Sequence, residues 1–531
     1  MKILRVVVPL AFFGVFFAWP LGAILARSLD AGAIRDTLAD PALRHVIWFT
    51  CWQAVLSTLL TLVAGLPAAY VVARYRFPGK RVFRAFVTVP FVLPTVVVAT
   101  AFLALLRPGG PLIFLHWQRG VAPMLVAHVF FNLAVVIRVV GGFWANLDPR
   151  REEAARMLGG SRWQVFRHVT LPLLTPSILA ASSIVFLFTF TSFGVVLLLA
   201  DPSHSTIEVE IYRQAIELFE LPTAAALAVV QIVAVLAVLL VMARAQERRA
   251  VTQRLVAASE TARRPRGVER VLVAVVLGMT TLFLGAPLVV LAARSFHIGG
   301  EWSLSAYRAL GMSASTSTLF VSPWTALRNS LIFACIATVI ALVIGGLAAS
   351  AIAARAGRAT RTMDALLMLP LGTSAVTVGF GFLVAYDHPP VDFSTSRLIV
   401  PLAHAVIAIP FVIRLVVPAL RSIDPRLRDA AAVLGASPRR VWREVDFPIV
   451  TRAFAVAAGF CAAVSLGEFG ATLFLARPSS PTLPIAIQRF LTRPGEINVG
   501  QSLALATILM VLTGAIVLAT ELVRVPGAGE I

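Results

Sequence analysis

The chain has 531 residues, 59% of them hydrophobic and only 14% charged, with a mean hydropathy of +0.87. Soluble domains carry roughly 45–50% apolar and about 25% charged residues, so a water-soluble globular protein is excluded and a membrane protein is implied. The net charge of +20 would suit a nucleic-acid partner, but its basic residues cluster in alternate loops between apolar runs, which is a signal of membrane topology.

A bilayer core is crossed by about 20 apolar residues in a helix. About twelve such stretches follow one another: roughly 6–25, 46–72, 86–106, 122–143, 177–200, 223–243, 271–293, 327–353, 365–385, 399–420, 453–476 and 500–523. Long continuous runs of this kind are unlike the short alternating segments of a β-barrel. The first stretch, with Lys2, Arg5 and the run Ala23-Ile24-Leu25-Ala26, has the make-up of a signal peptide. An uncleaved first span is expected, because it completes an even set. Between the stretches, Arg74, Arg76, Lys80, Arg81 and Arg84 share one loop, and Arg355, Arg358 and Arg361 another. The densest basic group is Arg244, Arg248, Arg249, Arg254, Arg263, Arg264, Arg266 and Arg270. Loops 26–45 and 201–222 are poorer in arginine and richer in acid. Positive loops stay inside, so both termini are expected in the cytoplasm. The three cysteines, Cys51, Cys335 and Cys461, fall in or beside apolar runs and read as small buried hydrophobes.

Sliding the chain on itself by 276 positions aligns much of it. Pro94 then meets Pro370, His128 meets His404, and Arg138 meets Arg414. Leu158-Gly159 meets Leu434-Gly435, Phe193-Gly194 meets Phe469-Gly470, Thr206-Ile207 meets Thr482-Leu483, and Arg213 meets Arg489. The expected fold class is all-α, with six-helix halves at 1–245 and 271–531 joined by a basic, solvated cytoplasmic linker at 246–270. Six crossings per half is an even number, so the repeat is parallel and its pseudo-two-fold axis lies along the membrane normal. A solute path is expected between the halves.

The best-preserved part of the repeat is polar. One copy begins Asp148-Pro149-Arg150-Arg151-Glu152-Glu153-Ala154-Ala155 and runs through Gly159-Gly160-Ser161 to Leu171-Pro172. The other begins Asp424-Pro425-Arg426-Leu427-Arg428-Asp429-Ala430-Ala431 and runs through Gly435-Ala436-Ser437 to Phe447-Pro448. The aspartate suits an N-cap and the proline a first helical position. Glu152 and Glu153 favour the positive end of the helix dipole. The paired alanines let another surface approach closely, and Gly159 or Gly160 supplies the left-handed stop. A second short helix is expected to start at Ser161 and at Ser437.

Both copies resemble the E-A-A-x-x-x-G motif of permeases in binding-protein-dependent ATP-driven (ABC) importers. Glu153, Ala154, Ala155 and Gly159 match it, as do Ala430, Ala431 and Gly435; Asp429 stands in place of the usual glutamate, and Phe447 in place of the leucine before the proline. The resemblance implies a type I importer permease in which segments 148–168 and 424–444 are coupling helices, each contacting one copy of a nucleotide-binding ATPase. It also implies an extracytoplasmic solute-binding protein on the outer face and a place in a bacterial inner membrane. Fusion of two such units is typical of thiamine and ferric-iron permeases. The strings Phe49-Thr50-Cys51-Trp52-Gln53-Ala54, Ala127-His128-Val129-Phe130-Phe131-Asn132, Thr206-Ile207-Glu208-Val209-Glu210-Ile211-Tyr212 and Ser465-Leu466-Gly467-Glu468-Phe469-Gly470 look more like the thiamine member.

A phosphate-binding loop needs G-x-x-x-x-G-K-[ST]. The only lysines are Lys2 and Lys80, and Lys80 precedes Arg81 with Arg74 where the first glycine belongs. ATP and Mg are therefore expected on a partner subunit, no cofactor or metal is expected on this chain, and it is not expected to be an enzyme. His128 and His404 lack neighbours at metal-ligand spacing and read as hydrogen-bonded packing residues. Charges inside spans are costly, so each is a functional candidate. Arg138 and Arg414 lie near span ends and can snorkel. Glu468 sits in a glycine-broken patch and is the candidate carboxylate for a cationic solute, with Ser192 at the matching place and Asn132 on the fourth span as further path candidates. Pro94, Pro370 and Pro410 are weaker ones. The competing reading is a twelve-span secondary transporter driven by an ion gradient. That class expects several titratable groups within spans, and it leaves the two polar segments unexplained.

Overall fold

The computed structural model describes residues 4–28, 32–249, 261–298, 300–311, 321–354, 357–387, 393 and 396–523. Among them ten helices are long and apolar enough to cross a membrane, and the count reaches twelve when each of two sharply bent helix pairs is taken as a crossing. The chain is an all-helical, multi-pass membrane protein. Its described strands are two short antiparallel pieces, β1 (His297–Ile298) and β2 (Glu301–Trp302).

In the first half, α1 covers Leu4–Ser28, α2 Ala33–Ala39, α3 Pro41–Arg74, α4 Lys80–Val92 and α5 Thr95–Leu106. Then come α6 (Val121–Ala145), α7 (Arg150–Met157), α8 (Arg162–Phe190), α9 (Gly194–Leu199), α10 (Ile207–Tyr212) and α11 (Leu221–Arg249). The second half repeats the order: α12 (Val268–Ser295), α13 (Ser305–Ala309), α14 (Pro323–Ala354), α15 (Arg358–Gly372), α16 (Ala375–Tyr386) and α17 (Ile399–Arg421). It ends with α18 (Pro425–Val433), α19 (Pro438–Gly467), α20 (Gly470–Leu475), α21 (Leu483–Leu491) and α22 (Glu496–Val523).

Each half is built on a tight helix pair. A Cβ at Gly65 of α3 would stand 2.7 Å from Val136 of α6, and one at Gly345 of α14 would stand 2.7 Å from Val412 of α17. Small residues let membrane helices approach this closely, where dispersion replaces the missing hydrophobic drive. These contacts also correct the repeat register. Val136 and Val412 are 276 apart, but Gly65 and Gly345 are 280 apart. The second and third spans are thus offset by one further helical turn, recovered by a shorter connection before α17. Pro370 inside α15 therefore matches Pro90 inside α4, and not Pro94 as the simple slide predicts. Pro94 lies in the break after α4, where its equivalent is Ser374.

Three expectations about the spans change. The third and ninth are not straight: α4 and α5 meet at 100°, and α15 and α16 at 99°. The fifth and eleventh stop at Phe190 and Gly467, earlier than the apolar runs suggest, and the chain resumes as α9 and α20. The expected second short helices are continuous with these spans, through one π-helical turn at Phe166–Thr170 and another at Trp442–Asp446. Pro172 and Pro448 follow those turns. A proline ring clashes with the carbonyl four residues back, and a widened turn accommodates it.

The halves interlock. The first helix of each packs on the other half: α1 lies against α14 and α16, and α12 lies against α5 and α3. Tyr386 of α16 donates its hydroxyl to Val15 O in a π-helical turn of α1, at 2.6 Å. Arg294 of α12 donates to Ala104 O and Pro108 O at the end of α5, at 2.7 and 2.8 Å. The linker also differs from expectation over its described part. Arg263 pairs by backbone with Arg74 O and Arg76 N, stacks on Tyr75 at 5.2 Å, and holds Glu269. Residues 250–260, Arg254 among them, and Arg355 lie outside the described residues.

Candidate functional site

The two polar segments form matching helical knuckles. Asp148 Oδ1 accepts from Arg150 N and Asp424 Oδ1 from Arg426 N, each at 3.0 Å, so both helices start on the aspartate cap. Each ends in a Schellman stop. In α7, Gly159 N donates to Arg156 O at 2.9 Å and Gly160 N to Ala155 O at 3.1 Å. In α18, Gly435 N donates to Ala432 O at 2.9 Å and Ala436 N to Ala431 O at 3.0 Å. Gly159 and Gly435 take the required positive φ, +85° and +81°. Ser161 then caps the following helix through a reciprocal box with Gln164.

One face of each knuckle is pinned to the bundle and the other is bare. Glu152 accepts from Arg74 at 2.7 Å and from Thr170 at 3.1 Å. Arg428, at the equivalent place, donates to Asp446 at 2.7 Å, with the polarity reversed. Glu153, Ala154 and Gly159 are exposed, as are Asp429, Ala430 and Gly435, while Ala155 and Ala431 are half-buried. Beside them Met157 and Leu158 are both 89% exposed, and Val433 and Leu434 both 87%. Apolar side chains so fully presented at matched places outside the apolar spans set the two knuckles apart from an ordinary solvated loop. With the bent pair α15–α16 taken as one crossing, six crossings separate the knuckles, which puts them on one face.

At the axis, Phe193 and Phe469, equivalent residues of the repeat, meet ring to ring at 5.5 Å. Tyr212 packs on both Phe193 and Phe474, each at 5.8 Å, and Phe474 reaches Phe380 at 6.1 Å. An aromatic seam thus closes the halves on each other.

The predicted path residues stand just behind this seam. His128 bonds Ser57 at 3.0 Å and Ser192 at 2.9 Å. His404 bonds Ser465 at 2.8 Å, Thr472 at 2.8 Å and Glu468 at 3.3 Å. Glu468 is buried and caps α20: Oε1 accepts from Ala471 N and Oε2 from Thr472 N, both at 2.9 Å, with the Thr472 hydroxyl at 2.7 Å. Its oxygens are therefore engaged by its own half instead of being offered to the seam. Asn132 is buried, donates to His128 O at 3.0 Å, and has no partner for its carbonyl oxygen among the described residues. Arg138 donates to Thr88 at 3.2 Å, and Arg414 is exposed.

Sequence reasoning missed the carboxylate that does reach across. Glu208 of α10 is fully buried. It accepts from Gln231 of α11 and, at 2.9 Å, from Ser374 of the second half. The signal was available: Glu208 and Glu210 sit within an apolar stretch with Ile207, Val209 and Ile211, and both carboxylates are buried, Glu210 keeping Gln214 and Arg213 of its own helix as partners. The start of α10 is fixed by Ile207 N donating to Thr50 Oγ1 at 3.0 Å, as Leu483 N donates to Ser330 Oγ at 2.8 Å in the other half.

The family described as the binding-protein-dependent transport system inner membrane component matches residues 61–252, which include the first knuckle. The chain is similar to the thiamine transport system permease protein ThiP of Brucella abortus, with 28% identity over 524 residues covering 94% of this chain and 92% of that protein. It is 26% identical over 500 residues to ThiP of Escherichia coli, covering 92% and 90%. A solved chain of a bacterial ABC transporter that imports alginate aligns over 45% of this chain and 92% of its own, at a TM-score of 0.39 and 19% identity. The two knuckles and this near-full-length similarity make the chain a fused two-unit permease subunit of an ABC importer.

Proposed function

We propose that this permease carries a small organic cation of the thiamine type into the bacterial cell by alternating access. The observation that carries the reading is similarity over nearly the whole length to permeases named for thiamine transport. Two copies of a separate ATPase, holding ATP and Mg, dock on α7 and α18 with Met157, Leu158, Val433 and Leu434 as the covered apolar surface. A solute-loaded receptor docks on the opposite face. ATPase closure pushes the knuckles, whose stiffness comes from the Schellman stops and from the Arg74–Glu152 and Arg428–Asp446 pins. That push is delivered through the π-helical turns to α8 and α19, whose far ends lead into the axial phenylalanines at the starts of α9 and α20. Both termini and both knuckles lie on the cytoplasmic side, where the arginine-rich loops belong.

The test is uptake by the purified complex of permease, ATPase and receptor in proteoliposomes without an ion gradient. Thiamine uptake should require ATP and stop with an ATPase unable to hydrolyse it. Uptake that follows an imposed ion gradient without ATP overturns the importer mechanism. Uptake of ferric iron in place of thiamine overturns the solute.

A further inference from the structure

We propose that Glu208 is the residue that reads the positive charge of the solute as it passes between the halves, an inference that rests on the solute being a cation. Glu208 is fully buried, yet among the described residues its partners are two neutral donors, Gln231 and Ser374, and no cation. A buried carboxylate without a counter-charge is costly, and inside a membrane protein such a group marks a ligand or ion pathway. Beside it, the Gln231 carbonyl oxygen is also buried and has no partner among the described residues. This corner therefore holds acceptors in excess of its donors, the polarity that a cation completes.

Position supports the same role. Tyr212 lies one turn beyond Glu208 on α10, and through it the carboxylate adjoins the aromatic seam of Phe193, Phe469 and Phe474. Carboxylate and ring faces together suit an aromatic organic cation. The arrangement is one-sided. The equivalent of Glu208 is Pro484, and the equivalent of Ser374 is Pro94. The fold closes its seam at the second place without charge, so architecture alone does not call for one at the first. In the closed conformation Ser374 occupies Glu208; separation of α16 from α10 uncovers the carboxylate for the solute.

The experiment uses the complete reconstituted importer, loaded with thiamine or, in parallel, with ferric iron. Glu208→Gln keeps the size of the side chain and removes its charge. Ser374→Ala removes the hydrogen bond between the halves and keeps the charge. Glu208→Gln should lower uptake per ATP hydrolysed by about tenfold or more, with partial recovery in Glu208→Asp. Ser374→Ala should lower it by less than about threefold. Equal losses in Glu208→Gln and Ser374→Ala assign Glu208 to holding the halves together and overturn the inference, as does wild-type uptake by Glu208→Gln. A wild type that carries ferric iron and no thiamine removes the thiamine reading alone, and the same variants then decide the charge question on iron.

Discussion

Gly159 and Gly435 show how one residue sets the use of a whole segment. Both sit at positive φ, and neither has an atom within 4 Å of the place a Cβ would take. A Cβ there meets no clash, so its cost is conformational, roughly 1–2 kcal/mol for a non-glycine residue in the left-handed region. Gly159→Val and Gly435→Val should leave the spans folded, lower the thermal midpoint by no more than about a few degrees, and reduce uptake per ATP. Normal uptake by both variants would remove the knuckles from the coupling path. The histidines separate two other roles that look identical in sequence. His128 bonds two neutral serines, whereas His404, besides Ser465 and Thr472, stands 3.3 Å from a buried carboxylate. His404→Ala should cost about 2–3 kcal/mol by removing one neighbour of a buried carboxylate that keeps its Ala471 and Thr472 donors, and His128→Ala about 1–2 kcal/mol. Thermal unfolding in detergent compares them, and equal losses would contradict a part for His404 in holding Glu468. The sequence places these histidines together by repeat, but the choice between Ser192 and Glu468 as neighbour makes them chemically different.

Among the elements, the long spans were legible because twenty apolar residues have few other destinations. The bends were not, since Pro94 and Ser374 lie within apolar runs whose composition is the same on either side of a right angle. The π-helical turns were hidden for a related reason: hydrophobic-x-hydrophobic-Pro reads as a stop between two helices, and only packing shows that the chain widens and continues. Those turns have a testable role. With Pro172 and Pro448 replaced by Ala, the ring clash that favours the wide turn is gone, and the missing N–H is restored. Relaxation to an α-turn changes the rotation between knuckle and span. The double variant should therefore fold, bind its ATPase and hydrolyse ATP, with uptake per ATP reduced several-fold. Retention of full uptake would show that the turns transmit nothing.

At the scale of the whole molecule, pattern reading finds two parallel six-span halves but does not say how they hold each other. It treats residues 246–270 as a solvated linker and leaves open which half each first helix packs on. Periodicity cannot show a swap, because α1 and α12 are equally apolar whichever half they contact. In the structure each first helix lies on the opposite half, and the described end of the linker is strapped to the loop after α3. That loop follows Arg74, which pins the first knuckle through Glu152. The exchange is held by contacts such as Tyr386 to Val15 and Arg294 to Ala104, so covalent continuity should be dispensable for assembly. The strap is not dispensable in the same way: Thr261 to Ala145 O, the Arg263 backbone pair and the Arg263–Glu269 ion pair tie α12 to the side of the bundle that carries the first knuckle. A protein divided between residues 250 and 260 and expressed as two chains should therefore co-purify as one complex and retain ATP-driven uptake. The same divided protein carrying Arg263→Ala should still co-purify, because the swapped helices remain, but its uptake per ATP should fall below that of the divided parent. Two chains that fail to co-purify would show that the linker, and not the exchange of first helices, holds the halves together. Equal uptake with and without Arg263 would return the strap to the passive tether that composition alone suggests.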